Sequence, residues 1–172
     1  YGGYKYIPGR WKTVAESLIK TYLLDENSSI LDVGCGKGFL LHEIKLILPN
    51  IKILGIDISS HGIKNSKKEV HKFLIKQKAQ NLEIFKNKEF DLVVSLGTLH
   101  NLKVFELDKT LRDITRISKK QYIMVESYRN NLEQFNLQCW ALTAETFFEP
   151  KEWEWLFKIT GYNGDYEFIY FE

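Results

Sequence analysis

The sequence has little cysteine, little proline and no long apolar run. Its 172 residues include two cysteines, Cys35 and Cys139, and three isolated prolines. Cysteines so far apart indicate neither a disulfide framework nor a zinc site, and we expect no metal site. Because no run of about 18 apolar residues occurs, we expect no membrane span. No signal peptide is visible, so a cytoplasmic location is the expectation.

The charges are also nearly balanced. A formal net charge of +2 predicts no strong field for nucleic acid or a membrane surface. Hydrophobic residues make up 44% of the chain, enough for the core of one domain spanning residues 1–172. We interpret Lys64, Lys67, Lys68 and Lys72 as a solvated helix face, with a nucleic-acid patch as the alternative. The oligomeric state is not indicated.

A glycine-rich turn follows the first apolar run of the chain. The segment 30–33 ends at three glycines spaced two apart, Gly34, Gly36 and Gly38, and a new apolar pattern then begins. This order predicts a strand, a tight turn and a helix. Glycine allows positive φ and lets another molecule approach the backbone closely. Asp32, at the strand end, is a fixed acceptor beside that gap.

The second apolar run, residues 51–56, ends in an acid. Asp57 lies 19 residues after Gly38. An acid at the tip of the second strand of a βαβ unit is placed to bind a ribose diol. The glycine pattern does not favour NAD, because Phe39 stands where the dinucleotide fingerprint has its third glycine.

Strand and helix patterns alternate along the rest of the chain. We therefore predict a Rossmann-like, doubly wound α/β fold with helices on both faces. Its mostly parallel sheet would have six to seven strands, including an antiparallel C-terminal strand. The further strands are predicted near residues 73–75, 90–95, 122–125 and 166–171, and helices near 10–23, 40–48, 61–70, 105–117 and 150–160.

The motif from Asp32 to Gly38, the acid Asp57 and the strand containing Asp91 resemble class I S-adenosylmethionine (SAM) methyltransferases over essentially the whole chain. In that family the glycine turn carries the amino-acid end of SAM and the second-strand acid holds the ribose. The resemblance implies SAM as cofactor, with S-adenosylhomocysteine (SAH) as product. The cofactor-binding residues that it implies are Asp32, Gly34, Cys35, Gly36, Gly38, Asp57, Ile58, Ala79, Gln80 and Ser95.

The resemblance also divides the domain and shows one departure. Residues 1–28 would be an N-terminal segment and helix, 29–126 the SAM-binding core, and 127–172 an aromatic-rich substrate-side segment with the last strand. The family usually has an acid before Ala79 that contacts the adenine, and Lys78 stands there in this chain. The backbone of Ala79 or the amide of Gln80 would then replace that contact.

The acceptor is predicted to be a small molecule. The chain has no Asp/Asn-Pro-Pro-aromatic tetrad for exocyclic base methylation, and neither cysteine follows a proline as in cytosine C5 enzymes. The runs 98–102, 126–130, 152–155 and 161–166 resemble bacterial methyltransferases of surface-polysaccharide and capsule pathways. We therefore expect methylation of an oxygen, less favourably a nitrogen, of a sugar or phosphoryl-containing precursor. RNA or protein methylation and a non-catalytic SAM-binding module are the alternatives.

Four polar residues just past strand ends are the candidates for catalysis. His100 is the expected base, because a neutral imidazole takes a proton near neutral pH; the alternative is that it caps a helix or packs with its neighbour. Glu126 and Tyr128 are the reserve candidates. Arg129, or else Arg10, is expected to recognise an anionic acceptor or the SAM carboxylate through its planar fork, and the alternative is a structural arginine.

Overall fold

A six-stranded sheet forms the centre of the computed structural model, which describes residues 5–172. The strand order is β3-β2-β1-β4-β5-β6, and every paired neighbour runs parallel. The strands are β1 (Ser29–Val33), β2 (Lys52–Asp57), β3 (Leu74–Lys76), β4 (Phe90–Leu96), β5 (Ser118–Glu126) and β6 (Asp165–Ile169). The predicted doubly wound fold is confirmed; residues 1–4 of the predicted N-terminal segment lie outside the described residues.

The helices connect these strands in the expected alternation. They are α1 (Lys12–Tyr22), α2 (Phe39–Ile47), α3 (Ser60–Lys64), α4 (Lys68–His71), α5 (Val104–Ile117), α6 (Asn131–Trp140) and α7 (Pro150–Thr160), with a short 3-10 turn at Leu99–Asn101. The helix predicted over 61–70 is two short helices, α3 and α4. The sequence analysis missed α6. None of the described helices is long and apolar enough to span a membrane.

The predicted antiparallel direction of the last strand is wrong. Strand β6 pairs with β5 in parallel, with Tyr122 beside Asp165 and Glu126 beside Ile169. The reason lies in the connection, because α7 returns the chain to the end of the sheet where β5 began. A strand entered after such a helical crossover runs in the same direction as its neighbour.

Two apolar cores cover the two faces of the sheet, which confirms helices on both. Successive residues of a strand point to opposite faces, so Leu31 contributes to one core and Ile30 to the other. The first core packs α5 and α7 against the sheet and includes the fully buried Trp153. The second packs α1 and α2. Asp32 follows the alternation of Ile30 and therefore belongs to the face covered by α1 and α2.

The strand order changes direction at β1. The chain passes from β1 outward to β2 and β3, and then crosses back to β4 on the other side of β1. Ligands of such sheets bind beyond the carboxyl ends of the strands at this switch point. The glycine turn after β1 lies at that position.

Candidate active site

The backbone conformation of the turn after β1 favours glycine at three positions. Gly34, Gly36 and Gly38 have φ values of 86°, 55° and 67°. A Cβ added to Gly34 would lie 1.9 Å from Oγ1 of Thr98. The loop that follows β4 therefore packs directly on the backbone of Gly34. A Cβ added to Gly36 would meet no atom within 4 Å. Open space therefore lies over Gly36, where a ligand can approach the backbone.

Asp57 at the end of β2 is tied to the same turn. Its Oδ2 accepts a hydrogen bond of 2.8 Å from the Gly36 N–H, and its Oδ1 accepts one of 2.7 Å from the Ser59 N–H. Each carboxylate oxygen can accept a further hydrogen bond. The acid is thus held rigidly at the turn while it keeps acceptor capacity for a diol.

A cavity of about 570 Å³ spreads across the switch point. On the side of β2 and β3 its wall includes Asp57, Ile58, Lys78, Ala79 and Gln80, and on the side of β4 and β5 it includes Gly97, Thr98, Asn101, Glu126, Trp140 and Thr143. The structure therefore brings together the predicted ribose and adenine residues. The Gln80 side chain is already engaged, since its Nε2 donates to Oε1 of Glu106 at 2.9 Å.

A second, smaller cavity of about 70 Å³ lies at the turn and shares Gly34, Gly36 and Leu96 with the larger one. Asp32 lines it and is only 4% exposed. Burial, and to a lesser extent the negative charge of Asp57, raises the pKa of Asp32 to about 7. A buried carboxyl whose pKa is raised in this way is suited to receive a cationic group.

Cys35 also lines the smaller cavity but is not suited to act as a nucleophile. Burial raises the pKa of its thiol well above the ordinary value, and the negative charges of Asp32 and Asp57 add to that effect. The thiolate is the nucleophilic form of cysteine. Cys35 therefore remains a neutral thiol that shapes the wall.

Glu126, at the end of β5, meets His100, which lies in the turn after β4. Oε2 of Glu126 and Nδ1 of His100 are 2.5 Å apart, and the two residues are 1% and 4% exposed. The contact is not aligned as a hydrogen bond, so both Glu126 oxygens and His100 Nδ1 lack an aligned partner among the described residues. Glu126 lines the large cavity, whereas His100 does not. His100, the predicted base, therefore contacts Glu126, the reserve candidate. Of the two, Glu126 is the residue that lines the cavity.

Ser95 lines neither of these two cavities. It is fully buried in β4, and its Oγ donates to the carbonyl of Val33 in β1 at 3.0 Å. A contact between Ser95 and the cofactor therefore stays a prediction. The Ser95 hydroxyl joins the ends of the two strands that flank the switch point.

Arg129, which is expected to recognise an anionic acceptor or the SAM carboxylate, contacts two acids and a tyrosine ring. Its Nε donates to Oε1 of Glu133 at 3.0 Å and its Nη2 to Oε1 of Glu172 at 2.7 Å, and its guanidinium lies 4.1 Å from the ring centre of Tyr170. Both carboxylates raise the pKa of Arg129. Two acidic partners leave little net positive charge at this position, and Arg129 lines neither of the two cavities.

Tyr128 and Arg10 likewise lie outside both cavity walls. Burial, with smaller effects from the charges of Glu152 and Glu149, raises the pKa of Tyr128, so its phenol is protonated at neutral pH and makes a poor base. Arg10 is exposed in the turn before α1, where its N–H donates to the carbonyl of Ile7.

Among the wall residues that the sequence analysis did not name as site residues are Trp11, Trp140 and Thr143. Trp11 lines the smaller cavity, although its spacing indicated only the apolar face of a helix. Trp140 and Thr143 reach the larger cavity from α6 and the segment after it. No local signal marks Trp11, because its role depends on how the N-terminal segment packs against the turn.

Comparisons with known proteins agree with this geometry. Residues 24–161 match the family model described as "Methyltransferase domain". The chain is 31% identical over 117 residues to the mitochondrial arginine-hydroxylase NDUFAF5 of Mus musculus, which is 67% of this chain and 33% of that protein. It is 27% identical over 107 residues to ribosomal RNA small subunit methyltransferase C of Haemophilus influenzae, covering 61% of this chain and 31% of that protein.

A solved structure shares the fold. A SAM-dependent methyltransferase from Archaeoglobus fulgidus aligns with a TM-score of 0.65 and 23% identity, over 89% of this chain and 69% of that one. The chain spans about a third of the length of the curated relatives that it matches.

Proposed function

This chain belongs to the methyltransferase-domain family and is a class I SAM-dependent methyltransferase domain, and from this premise we propose that it methylates a hydroxyl oxygen of a small molecule. A sugar hydroxyl is the preferred acceptor and a nitrogen the less favoured one. One observation supports the proposal above the others. Glu126, a buried acid, lines the cavity on the opposite side of the glycine turn from Asp57.

The residues around the turn fit SAM. Open space over Gly36 lets a ligand pass close to the backbone between the two cavities. Asp57 would hold the ribose hydroxyls, and Ile58 and Ala79 would pack on the adenine. Asp32 would hold the ammonium of the amino-acid end. Burial and the negative charge of Asp57 raise the pKa of its carboxyl, and a bound cation would offset both effects.

The chemistry leaves one proton for the protein to manage. SAM supplies a methyl group on a cationic sulfur, whose C–S bond breaks, with the electron pair staying on sulfur, as the acceptor oxygen bonds the methyl carbon. The acceptor hydroxyl then has to lose its proton. We assign that proton to a carboxylate oxygen of Glu126. His100, 2.5 Å away, orients Glu126 and shares the proton with it.

The charges of the cavity wall indicate which acceptors fit. Among the described residues, three acids line it, Asp57, Glu106 and Glu126, against a single lysine, Lys78. A phosphoryl group would be repelled by this wall. An acceptor that offers hydrogen-bond donors, such as an uncharged sugar, fits better, and the ring of Trp140 supplies an aromatic surface on the wall for its apolar face.

Replacement of Glu126 by glutamine tests the assignment. SAH formation from SAM would be measured with a panel of sugars, hydroxylated metabolites and amines. We expect Glu126→Gln to lower turnover by about 100-fold or more, while calorimetric affinity for SAH stays near that of the wild type. The matched control is Glu106→Gln, another acid on the same wall, which should change turnover by less than about tenfold. Full turnover in Glu126→Gln would remove the assignment.

What the relatives are named for supports one second candidate. The Haemophilus influenzae relative is named a ribosomal RNA methyltransferase, so RNA is an alternative acceptor for this chain. Binding of RNA through several phosphates weakens steeply as salt rises, whereas binding of an uncharged small molecule does not. SAH formation with RNA that falls steeply between low and physiological salt would favour this candidate. SAH binding without turnover on any acceptor would favour a non-catalytic SAM-binding module.

A further inference from the structure

A short strap precedes α1 and lies against α2. The strap, residues 5–11, contains Tyr6, whose ring packs edge-on against Phe39 and His42 with ring centres 5.5 Å and 5.1 Å away. A turn at Gly9, with φ of 76°, directs the chain into α1. The roles proposed above for SAM binding and catalysis do not account for the close packing of this strap against α2.

The carboxylate of Glu43 fastens the strap to α2. Glu43 is 3% exposed, and its Oε1 accepts from the Tyr6 hydroxyl at 2.7 Å and from the Gly9 N–H at 3.3 Å. The ammonium of Lys67 lies 4.2 Å from the ring centre of Tyr6. A buried carboxylate is costly unless donors reach it, and both of these donors come from the strap. Glu43 therefore links the strap to α2, and we call its two hydrogen bonds to the strap the clasp.

Trp11 stands at the end of the strap, on the wall of the smaller cavity. It shares that wall with Asp32 and the glycine turn. Its indole Nε1 is buried and has no hydrogen-bond acceptor among the described residues. A buried donor without a partner carries a free-energy penalty that an acceptor supplied by a ligand would remove.

We propose that Trp11 is a cofactor-binding residue whose indole N–H donates to the α-carboxylate of SAM, and that the clasp between Glu43 and the strap positions it. The wall of the smaller cavity, which Lys37 also lines, then presents a group to each charge of the amino-acid end. Asp32 faces the ammonium and Trp11 the carboxylate. This inference rests on SAM binding and can be tested with cofactor analogues in the absence of any methyl acceptor. Its test is therefore independent of the methyl acceptor proposed above.

Calorimetry with two ligands tests the role of Trp11. The ligands are SAH and 5′-methylthioadenosine, which has the adenosine and the sulfur but lacks the amino-acid end. We expect Trp11→Phe, which keeps an aromatic ring and removes the N–H, to weaken SAH by about tenfold to a hundredfold. Affinity for methylthioadenosine should change by less than about twofold, which also shows that the site is folded. Trp155→Phe, at a 58% exposed position of α7, is the control and should change neither affinity.

The clasp and the unaltered protein provide two further measurements. Tyr6→Phe removes the hydroxyl bonded to Glu43, so SAH should dissociate several-fold faster while methylthioadenosine dissociates at the wild-type rate. The wild-type protein should bind decarboxylated SAH about tenfold or more weakly than SAH, a result that needs no variant to fold. Equal affinity of the wild type for SAH and decarboxylated SAH would overturn the proposal, as would equal losses for both ligands in Trp11→Phe.

Discussion

Replacement of Asp32 by asparagine should stabilise the empty protein and weaken its hold on the cofactor. Asp32 is 4% exposed, and burial is the first cause that raises its pKa to about 7 from an ordinary 3.8. The charged carboxylate is therefore unfavourable in the folded state. Asparagine has nearly the same shape and carries no charge, so it removes this penalty.

The penalty depends on pH in a defined direction. Below about pH 4 Asp32 is protonated in the folded and unfolded states, and the penalty is absent. As pH rises from about 4 to about 7, the unfolded chain ionises while the folded protein keeps the proton, so the free energy of unfolding falls. Above pH 7 the loss is constant. A pKa raised by about three units corresponds to about 4 kcal/mol, as an upper bound.

The expected gain at pH 8 is about 1–3 kcal/mol, because water and backbone relaxation recover part of the upper bound. For a chain of this length, 1 kcal/mol shifts the melting temperature by about 2–4 °C. We therefore expect Asp32→Asn to melt about 2–12 °C higher than the wild type at pH 8 and at the wild-type temperature near pH 4. The control is Asp91→Asn. The hydrogen bond from Lys119, followed by bonds from Ser29, lowers the pKa of Asp91, so that variant should melt lower.

Cofactor binding should respond in the opposite sense. An ammonium beside Asp32 favours the charged carboxylate, so wild-type affinity for SAH should rise with pH up to about 7 and then level off. Asp32→Asn should bind SAH about tenfold more weakly at pH 8 and lose this pH dependence. A variant that is less stable than the wild type at pH 8, or that binds SAH with unchanged affinity and pH dependence, would refute the reasoning.

Two further predictions concern the turn and the structural arginine. Gly34→Ala should cost about 2–5 kcal/mol, because its Cβ would meet Thr98 at 1.9 Å, whereas Gly161→Ala shares a positive φ but meets nothing within 4 Å and should cost less in chemical denaturation. Equal losses for the two variants would show that the clash is unimportant. Arg129→Ala should lower the melting temperature, since it leaves Glu133 without its guanidinium partner, and should leave SAH affinity unchanged; a weakened SAH affinity would return Arg129 to the site.

The parts of the site that are local in sequence could be predicted before the fold was known. The glycine turn and Asp57 each follow a short apolar run, and parallel strands bring their carboxyl ends to one edge of the sheet. Ile58 and Ala79, which line one cavity, were implied by the family resemblance and not by this reasoning. The reasoning from strand ends also placed Glu126 close to His100, although nothing in the sequence indicated which of the two reaches the cavity.

The parts that depend on packing could not be predicted in this way. The direction of β6 depends on the crossover through α7, and the role of Trp11 depends on a clasp 32 residues further along the chain at Glu43. Some signals were present but unused. Asn130 accepts from the backbone of Glu133 as a helix cap, yet α6 was missed because Leu132 and Phe135 are exposed and obscure its apolar period.

Transfer of labelled methyl from SAM in a cell extract tests the central claim most directly. After reaction, ultrafiltration would separate small molecules from RNA and protein, and chromatography would remove the unreacted labelled SAM from the small-molecule fraction. The label left in each fraction would be counted for the wild type, Glu126→Gln and Asp57→Ala. The account predicts label in the small-molecule fraction with the wild type and little with either variant. Label that accumulates in RNA or protein, or in small molecules at the wild-type level with Glu126→Gln, would contradict it.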